Sequence, residues 1–443
     1  MRTVKITESA LMPRACKGGM TLVEMLVAMA ASLLIMSAVA QVFGVLGRTV
    51  SSSANIQEMN GDLRTVALLI RQDLAGITVD PLPPISAAKD AGYLEIVEGP
   101  ARDGTGVTSD YDDVLMFTST NLVEPFRGIV SGTPFESQSA EIAWFCKESA
   151  DQPLSGMNIT LYTLYRRQLL VAGYVGQAPF ETENRADFST FSSSWKTYFS
   201  TNDISVRNEG GFLYPNSLGD LVKPRCRFLH TGAYPGYAFA GATANGAVLT
   251  KLSDQDRGRE GADVVLSNVI GFDIRVYDPL APVKMYNGIP VSPGDPGFST
   301  NGSGVANGAY VDLAWDSQSV PNPTLVTASY PPAGQSYFQG VGVSLVNTGT
   351  NTGTVKTYAL PTYNTWSTHY ETNGQNDDDD PTIDQGRDGL DNNGNGLVDE
   401  DLERETSAPY PVRLKAIEIR IRCCNPRSRQ IRQTTIRHAF VPH

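Results

Sequence analysis

The sequence predicts an α+β protein: a long N-terminal helix, transmembrane in its first half and packed in its second on antiparallel β-sheet, with long loop insertions. Three observations predict it. Residues 25–46 form an uncharged apolar run long enough to cross a bilayer. No proline occurs between residues 20 and 80, and Ile56, Met59, Leu63, Val66, Ile70, Leu74 and Ile77 recur at steps of three and four, the stripe of an amphipathic helix. Beyond Pro81 the apolar period changes from the helical value to two.

Taken in order, residues 1–19 read as a leader. Arg2, Lys5, Arg14 and Lys17 stand against one acid, Glu8, a basic cytoplasmic flank. A secretory signal loses its apolar stretch because cleavage follows it. Here the small pair Gly18-Gly19 comes first, so a cut after Gly19 leaves the apolar segment as the mature N-terminus at Met20. Residues 20–46 are the transmembrane half of the helix and 47–80 its amphipathic half. Asn60, Asp62, Arg64, Arg71 and Asp73 are expected largely off the apolar stripe. Gly44, Gly47 and Ser51–Ser53 lie between the halves, and glycine costs up to about 1 kcal/mol per helical site. That stretch is the expected place for the helix to bend or melt.

Residues 81–278 read as a β-rich globular domain. Segments 113–118, 141–146 and 159–171 have strand character. In 268–277, Ile270, Phe272, Ile274 and Val276 alternate with Gly271, Asp273 and Arg275, which predicts one half-buried face. Residues 279–375 are a loop-rich insertion, 376–405 an acidic segment, and 406–443 a C-terminal hairpin. In that hairpin Ile417, Ile419, Ile421 and Cys423 share one face, while Glu418, Arg420, Arg422 and Cys424 share the other, with Cys424 outward. Segments 272–279 and 417–426 look alike, as two strands in one environment would.

One charge stands out against the apolar run. Glu24 sits at its mouth, and a free carboxylate in hydrocarbon costs about 3 kcal/mol or more unless something pairs with it. A neighbour's ammonium would offset that cost and fix axial register. The plainer alternative places Glu24 at headgroup level.

At Gly19, Thr21, Leu22, Val23 and Glu24 the chain resembles the type IV prepilin and pseudopilin family, with Met20 where phenylalanine is commoner. Segments 63–77 and 161–173 and the C-terminal hairpin resemble J-type pseudopilins of type II secretion and W-type minor pilins. The resemblance implies cleavage after Gly19 by a prepilin peptidase and methylation of the Met20 amine. It also implies pairing of Glu24 with a neighbouring subunit's N-terminus. The partners implied are other pilins or pseudopilins and the peptidase. The location implied is the bacterial inner membrane, crossed once, with the C-terminal domain periplasmic or extracellular.

The formal charge is −12, and removing the leader's four bases and one acid takes the mature chain to −15. That predicts no nucleic-acid partner for the soluble part. Residues 371–403 hold twelve carboxylates against one base, Arg387. Within them the run from Asp391 to Glu400 resembles the calcium loop of EF-hands and dockerin-type repeats. That resemblance implies side-chain ligands at Asp391, Asn393, Asn395 and Asp399 and a carbonyl ligand at Leu397. Leu402 holds the position of the usual bidentate glutamate, so Asp388 or Glu400, or else Asp401 or Glu403, would substitute. The alternative is a solvated acidic loop.

Cys16 leaves with the leader. Cys146, Cys226, Cys423 and Cys424 remain, an even number; Cys146 or Cys226 could join one of the vicinal pair, or all four could be reduced and buried. The sequence predicts no enzyme: it has four histidines and lacks H-E-x-x-H, G-x-S-x-G and P-loop patterns. Two readings follow. One is a filament subunit of the pilin class; the other is a permanently anchored single-pass binding protein.

Overall fold

The computed structural model describes residues 21–80, 91–99, 110–149, 159–223, 226–228, 239–240, 248–249, 263–299, 304–313, 315, 342–347, 357–365, 374, 382–392, 394, 396–399, 412–426 and 428–440. The chain divides into two units, residues 1–57 and 58–443.

Helix α1 covers Leu22–Ala75. It is helical through Gly44, Gly47 and the serine run, so the expected melting there does not occur. Among the described residues two further α-helices are short: α2, Trp195–Thr201, and α3, Leu218–Leu221.

The strands in chain order are β1 Leu94–Val97, β2 Val114–Thr120, β3 Phe126–Val130, β4 Thr133–Ser137, β5 Ser139–Glu148 and β6 Tyr162–Val171. Short pieces follow: β7 Ala186–Asp187, β8 Val206–Glu209, β9 Phe212–Pro215, β10 Phe239–Ala240 and β11 Val248–Leu249. The rest are β12 Val264–Tyr286, β13 Ile289–Val291, β14 Gly304–Val311, β15 Gly342–Asn347, β16 Thr357–Asn364, β17 Ala416–Cys424 and β18 Ile431–Ala439. One antiparallel sheet of eleven strands runs β15-β16-β1-β2-β5-β6-β12-β17-β18, with β13 and β14 joined to β12. The insertion at 279–375 therefore contributes sheet: β14 pairs with β12 and β16 with β1.

Within the second unit, α1 covers one face of this sheet. Met59, Leu63, Val66, Ala67, Ile70 and Leu74 form one core with Ile96, Phe117, Ile142, Trp144, Phe272, Ile274, Ile417, Ile419 and Ile421. The stripe predicted from spacing is the buried one. Gly76 closes the helix against β2: a Cβ there would stand 2.4 Å from the Thr120 carbonyl oxygen, too close for any other residue. The opposite face carries a second core, in which Tyr93, Val114, Met116 and Phe145 meet Phe180, Tyr198, Phe199 and Leu213 from the excursion after β6.

The alternation expected in 268–277 is broken once. Val269 pairs with Cys423 but Gly271 with Arg422, so Ile270 is an extra residue. This bulge turns Ile270 to a small cluster with Leu161 and Cys424, away from Phe272. Cys424 is thereby buried, not outward. The likeness of 272–279 to 417–426 has a direct cause: β12 and β17 are neighbours, with Phe272 opposite Ile421 and Ile274 opposite Ile419. Their polar positions meet too. The buried Arg275 pairs with Asp273 at 2.9 Å and with Asp312 at 3.2 Å.

Candidate functional site

The helix start is built by Thr21 and Glu24. The Glu24 carboxylate accepts from the Thr21 N–H at 2.8 Å and the Thr21 hydroxyl at 3.0 Å; the Glu24 N–H donates to Thr21 Oγ1 at 3.3 Å. This reciprocal pair is a capping box, signalled by Thr-x-x-Glu before an apolar run. From the sequence Glu24 reads as a charge to be neutralised; the structure adds a second role, closing the first turn of the helix. Behind it, Leu22–Leu46 has a mean hydropathy of 2.2 over 25 residues and none of it is buried. It is long and apolar enough to cross a membrane. Gly19 and Met20 lie outside the described residues.

A second carboxylate on the same helix has the opposite environment. Asp73, expected off the stripe, is buried at 2 % exposure. Arg166 of β6 grips it bidentately at 2.7 Å through both Nε and Nη2, and Trp144 of β5 donates its indole N–H at 3.0 Å. Burial pushes the Asp73 carboxyl above its ordinary range, and the arginine and indole counter only part of that. The group fixes the lower half of α1 on the sheet.

The acidic segment is described in part; Asn393, Asn395 and Glu400 lie outside the described residues. Asp391 accepts the Gly394 N–H and the Gly396 N–H, both at 2.7 Å. Asp388 accepts from Leu390 N–H at 2.8 Å and from the Asn392 amide at 2.9 Å. Asp399 accepts the Gly389 N–H at 2.9 Å. The Leu397 side chain is exposed. These carboxylates hold a run of tight turns in which Gly389, Gly394 and Gly396 have positive φ.

A different set of carboxylates is brought together by the fold and was invisible in the sequence. Beyond Val269, β12 leaves β6, and the segment before β2 moves in: Phe272 N–H donates to the Asp110 carbonyl at 2.8 Å. One oxygen each from Glu98, Asp110 and Asp113 then lies within 4.8 Å of the others, all three residues being buried. Asp113 also accepts the Ile274 N–H at 2.7 Å and the Gly99 N–H at 3.1 Å; Glu98 accepts the Leu313 N–H at 3.1 Å. Burial first, and neighbouring carboxylates second, push Asp110 and Asp113 well above the usual range. Hard oxygen donors in this arrangement suit a divalent cation such as calcium or magnesium, or else hold protons among themselves.

Of the two alternatives for the cysteines, the structure has the one without a disulfide: Cys146, Cys226, Cys423 and Cys424 are all buried and none is bridged. Alternation along β17 sends the vicinal pair to opposite faces, Cys423 with Cys146 in the helix-facing core and Cys424 to the cluster with Leu161.

The N-terminal sequence has a counterpart in known proteins. A family model described as the prokaryotic N-terminal methylation motif matches residues 14–40. That match, with the apolar helix behind it, supports a protein of the prepilin and pseudopilin kind, a substrate of prepilin peptidase anchored by a single pass. No curated protein and no solved structure matches the chain.

Proposed function

We propose that the chain is a minor pilin or pseudopilin of a type IV pilus or type II secretion filament, most like the J-type or W-type subunits, and not an enzyme. The observation that carries this reading is a carboxylate three residues into an exposed apolar helix that follows a Gly-Gly pair inside the methylation motif. The peptidase cuts after Gly19 and the Met20 amine is methylated. Extraction from the bilayer then moves Leu22–Leu46 from lipid to the apolar helices of neighbouring subunits. Glu24 loses water on that path, and a neighbour's N-terminal ammonium offsets the cost. The soluble domain faces the periplasm or the exterior.

The acidic segment is a calcium-ordered loop in this reading. Support comes from the oxygen-bearing residues at alternate positions from Asp391 and from the two backbone amides that Asp391 gathers in its turn. Calorimetry with millimolar calcium should show heat of binding that is lost in Asp391→Asn; no heat rejects the loop as a calcium site.

The main test is N-terminal sequencing of the protein from its native host. A methylated Met20 at position one is expected; recovery with residues 1–19 attached rejects the reading. The capping box supplies a sharper experiment. Glu24→Gln keeps a capping side chain but removes the charge, while Thr21→Ala removes the cap and keeps the charge. Filament incorporation should fall at least about tenfold in Glu24→Gln and much less in Thr21→Ala. Unchanged function in Glu24→Gln with anchoring intact would favour the permanently anchored binding protein.

A further inference from the structure

Strand β18 ends the sheet path, and among the described residues no strand pairs with its outer edge. Its ladder with β17 is fixed at both ends, by Asn425 N–H to Gln430 O at 2.9 Å and by Phe440 N–H to Lys415 O at 2.9 Å. Antiparallel strands alternate between residues that exchange backbone bonds and residues that do not. In the observed register, Arg432, Thr434, Ile436 and His438 exchange bonds with β17. The N–H and C=O groups of Gln433, Thr435 and Arg437 are therefore turned to the free edge.

Those same three residues line an open cleft of about 510 Å³ with Arg71, Glu418 and Arg420. Three guanidinium groups thus gather in a protein of net charge −12. Glu418, 1 % exposed, sits beneath and accepts from Arg420 Nε and Arg437 Nε, both at 2.6 Å. This fixes both side chains in place, and Arg437 also stands over the Tyr310 ring at 5.1 Å. On the far side Arg420 faces Asp295 at 3.7 Å and Asp273 at 4.0 Å. Arg71 is exposed and makes no hydrogen bond or ion pair among the described residues. Arg71 and Arg437 carry the outward charge.

We infer that the β18 edge and its arginine cleft dock the aspartate run Asp377–Asp380 from a second copy of this chain. A strand added to the edge would bond to the backbone of Gln433, Thr435 and Arg437 and set its alternate side chains against the cleft. Four consecutive aspartates put two carboxylates on each side in any register, within reach of charge-assisted pairing with guanidinium. The chain's densest acidic run and its arginine cleft are then two halves of one contact, and every copy carries both. The inference holds whether or not the filament reading does.

The test is self-association of the full chain in detergent, followed by light scattering across concentration at low and high salt. Arg71→Glu, which breaks no internal contact, and separately Asp377–Asp380 to asparagine, should each weaken association about tenfold or more at low salt. Combining them should add little. Arg437→Glu should weaken it as well, and Asp378→Lys with Asp380→Lys should restore association to that variant. Association that ignores all of these changes, through apolar helices alone, overturns the inference. So does a chain that stays monomeric, or a cleft that takes only an acidic segment of some other protein.

Discussion

Leu22–Leu46 and the stretch from Met59 to Leu74 belong to one helix, yet none of the first is buried while the apolar stripe of the second is. Fully burying one large apolar side chain stabilises by about 1.5–3 kcal/mol, so the five large residues of the second stripe contribute on the order of 10 kcal/mol. The first stretch holds comparable apolar surface that is exposed. Lipid or other chains would stabilise it by covering that surface. The two carboxylates follow the same division: Glu24 is satisfied by its own turn, whereas Asp73 is satisfied by strands seventy and more residues away.

The strongest break of this comparison is at Asp73. Arg166→Met leaves a buried carboxylate with only the Trp144 indole, and removing one partner of a buried pair costs about 3–5 kcal/mol. Urea unfolding should show that loss, and Asp73→Leu in the same background should recover most of it. A cost that stays after both changes would mean the pair is incidental.

Next comes the apolar stripe itself. Ile70, fully buried, should cost about 2–5 kcal/mol on change to alanine through lost burial and a cavity. Leu34, 72 % exposed, should cost the soluble domain less than about 0.5 kcal/mol in detergent. Equal costs at the two positions would show that the halves do not differ as described.

A smaller effect is expected on the other face of the sheet. Glu141 is buried, and burial raises its carboxyl above the ordinary range; the Phe228 N–H, the hydroxyls of Ser205 and Tyr93 and the Arg227 cation counter part of this. The folded chain therefore holds that proton more tightly than the unfolded chain. The stability tied to it is full below the unfolded pKa, near 4.5, and is lost as pH rises through the folded value. Glu141→Gln should gain on the natural protein in thermal melts between pH 4 and pH 7. A difference that does not change with pH would refute this.

How much was legible in the chain follows from the range of each contact. The helix, its buried stripe and the C-terminal hairpin rest on spacing within a few residues, and their positions agree with the structure. Asp73 was misread because Arg166 lies 93 residues away. Ile270 was misplaced because a bulge depends on the partner strand, which period-two reasoning does not contain. The Glu98, Asp110 and Asp113 cluster depends on β12 leaving β6, again a tertiary event. The capping box was different: Thr21 and Glu24 are three residues apart, and the signal was present but read for its charge alone.

The finest test of the comparison lies at Leu68, on the buried half of α1 yet 66 % exposed, between Ala67 at 4 % and the partly buried Leu69. It points away from the sheet, so it shares the surroundings of the first half and the sequence position of the second. Leucine, lysine and alanine differ little in helix propensity. Leu68→Lys should therefore move stability by no more than about 0.5 kcal/mol in either direction. A larger loss would place Leu68 in the domain's own core. Unchanged stability combined with failed filament incorporation would mean that this leucine, like those of the apolar run, is covered by a neighbouring subunit.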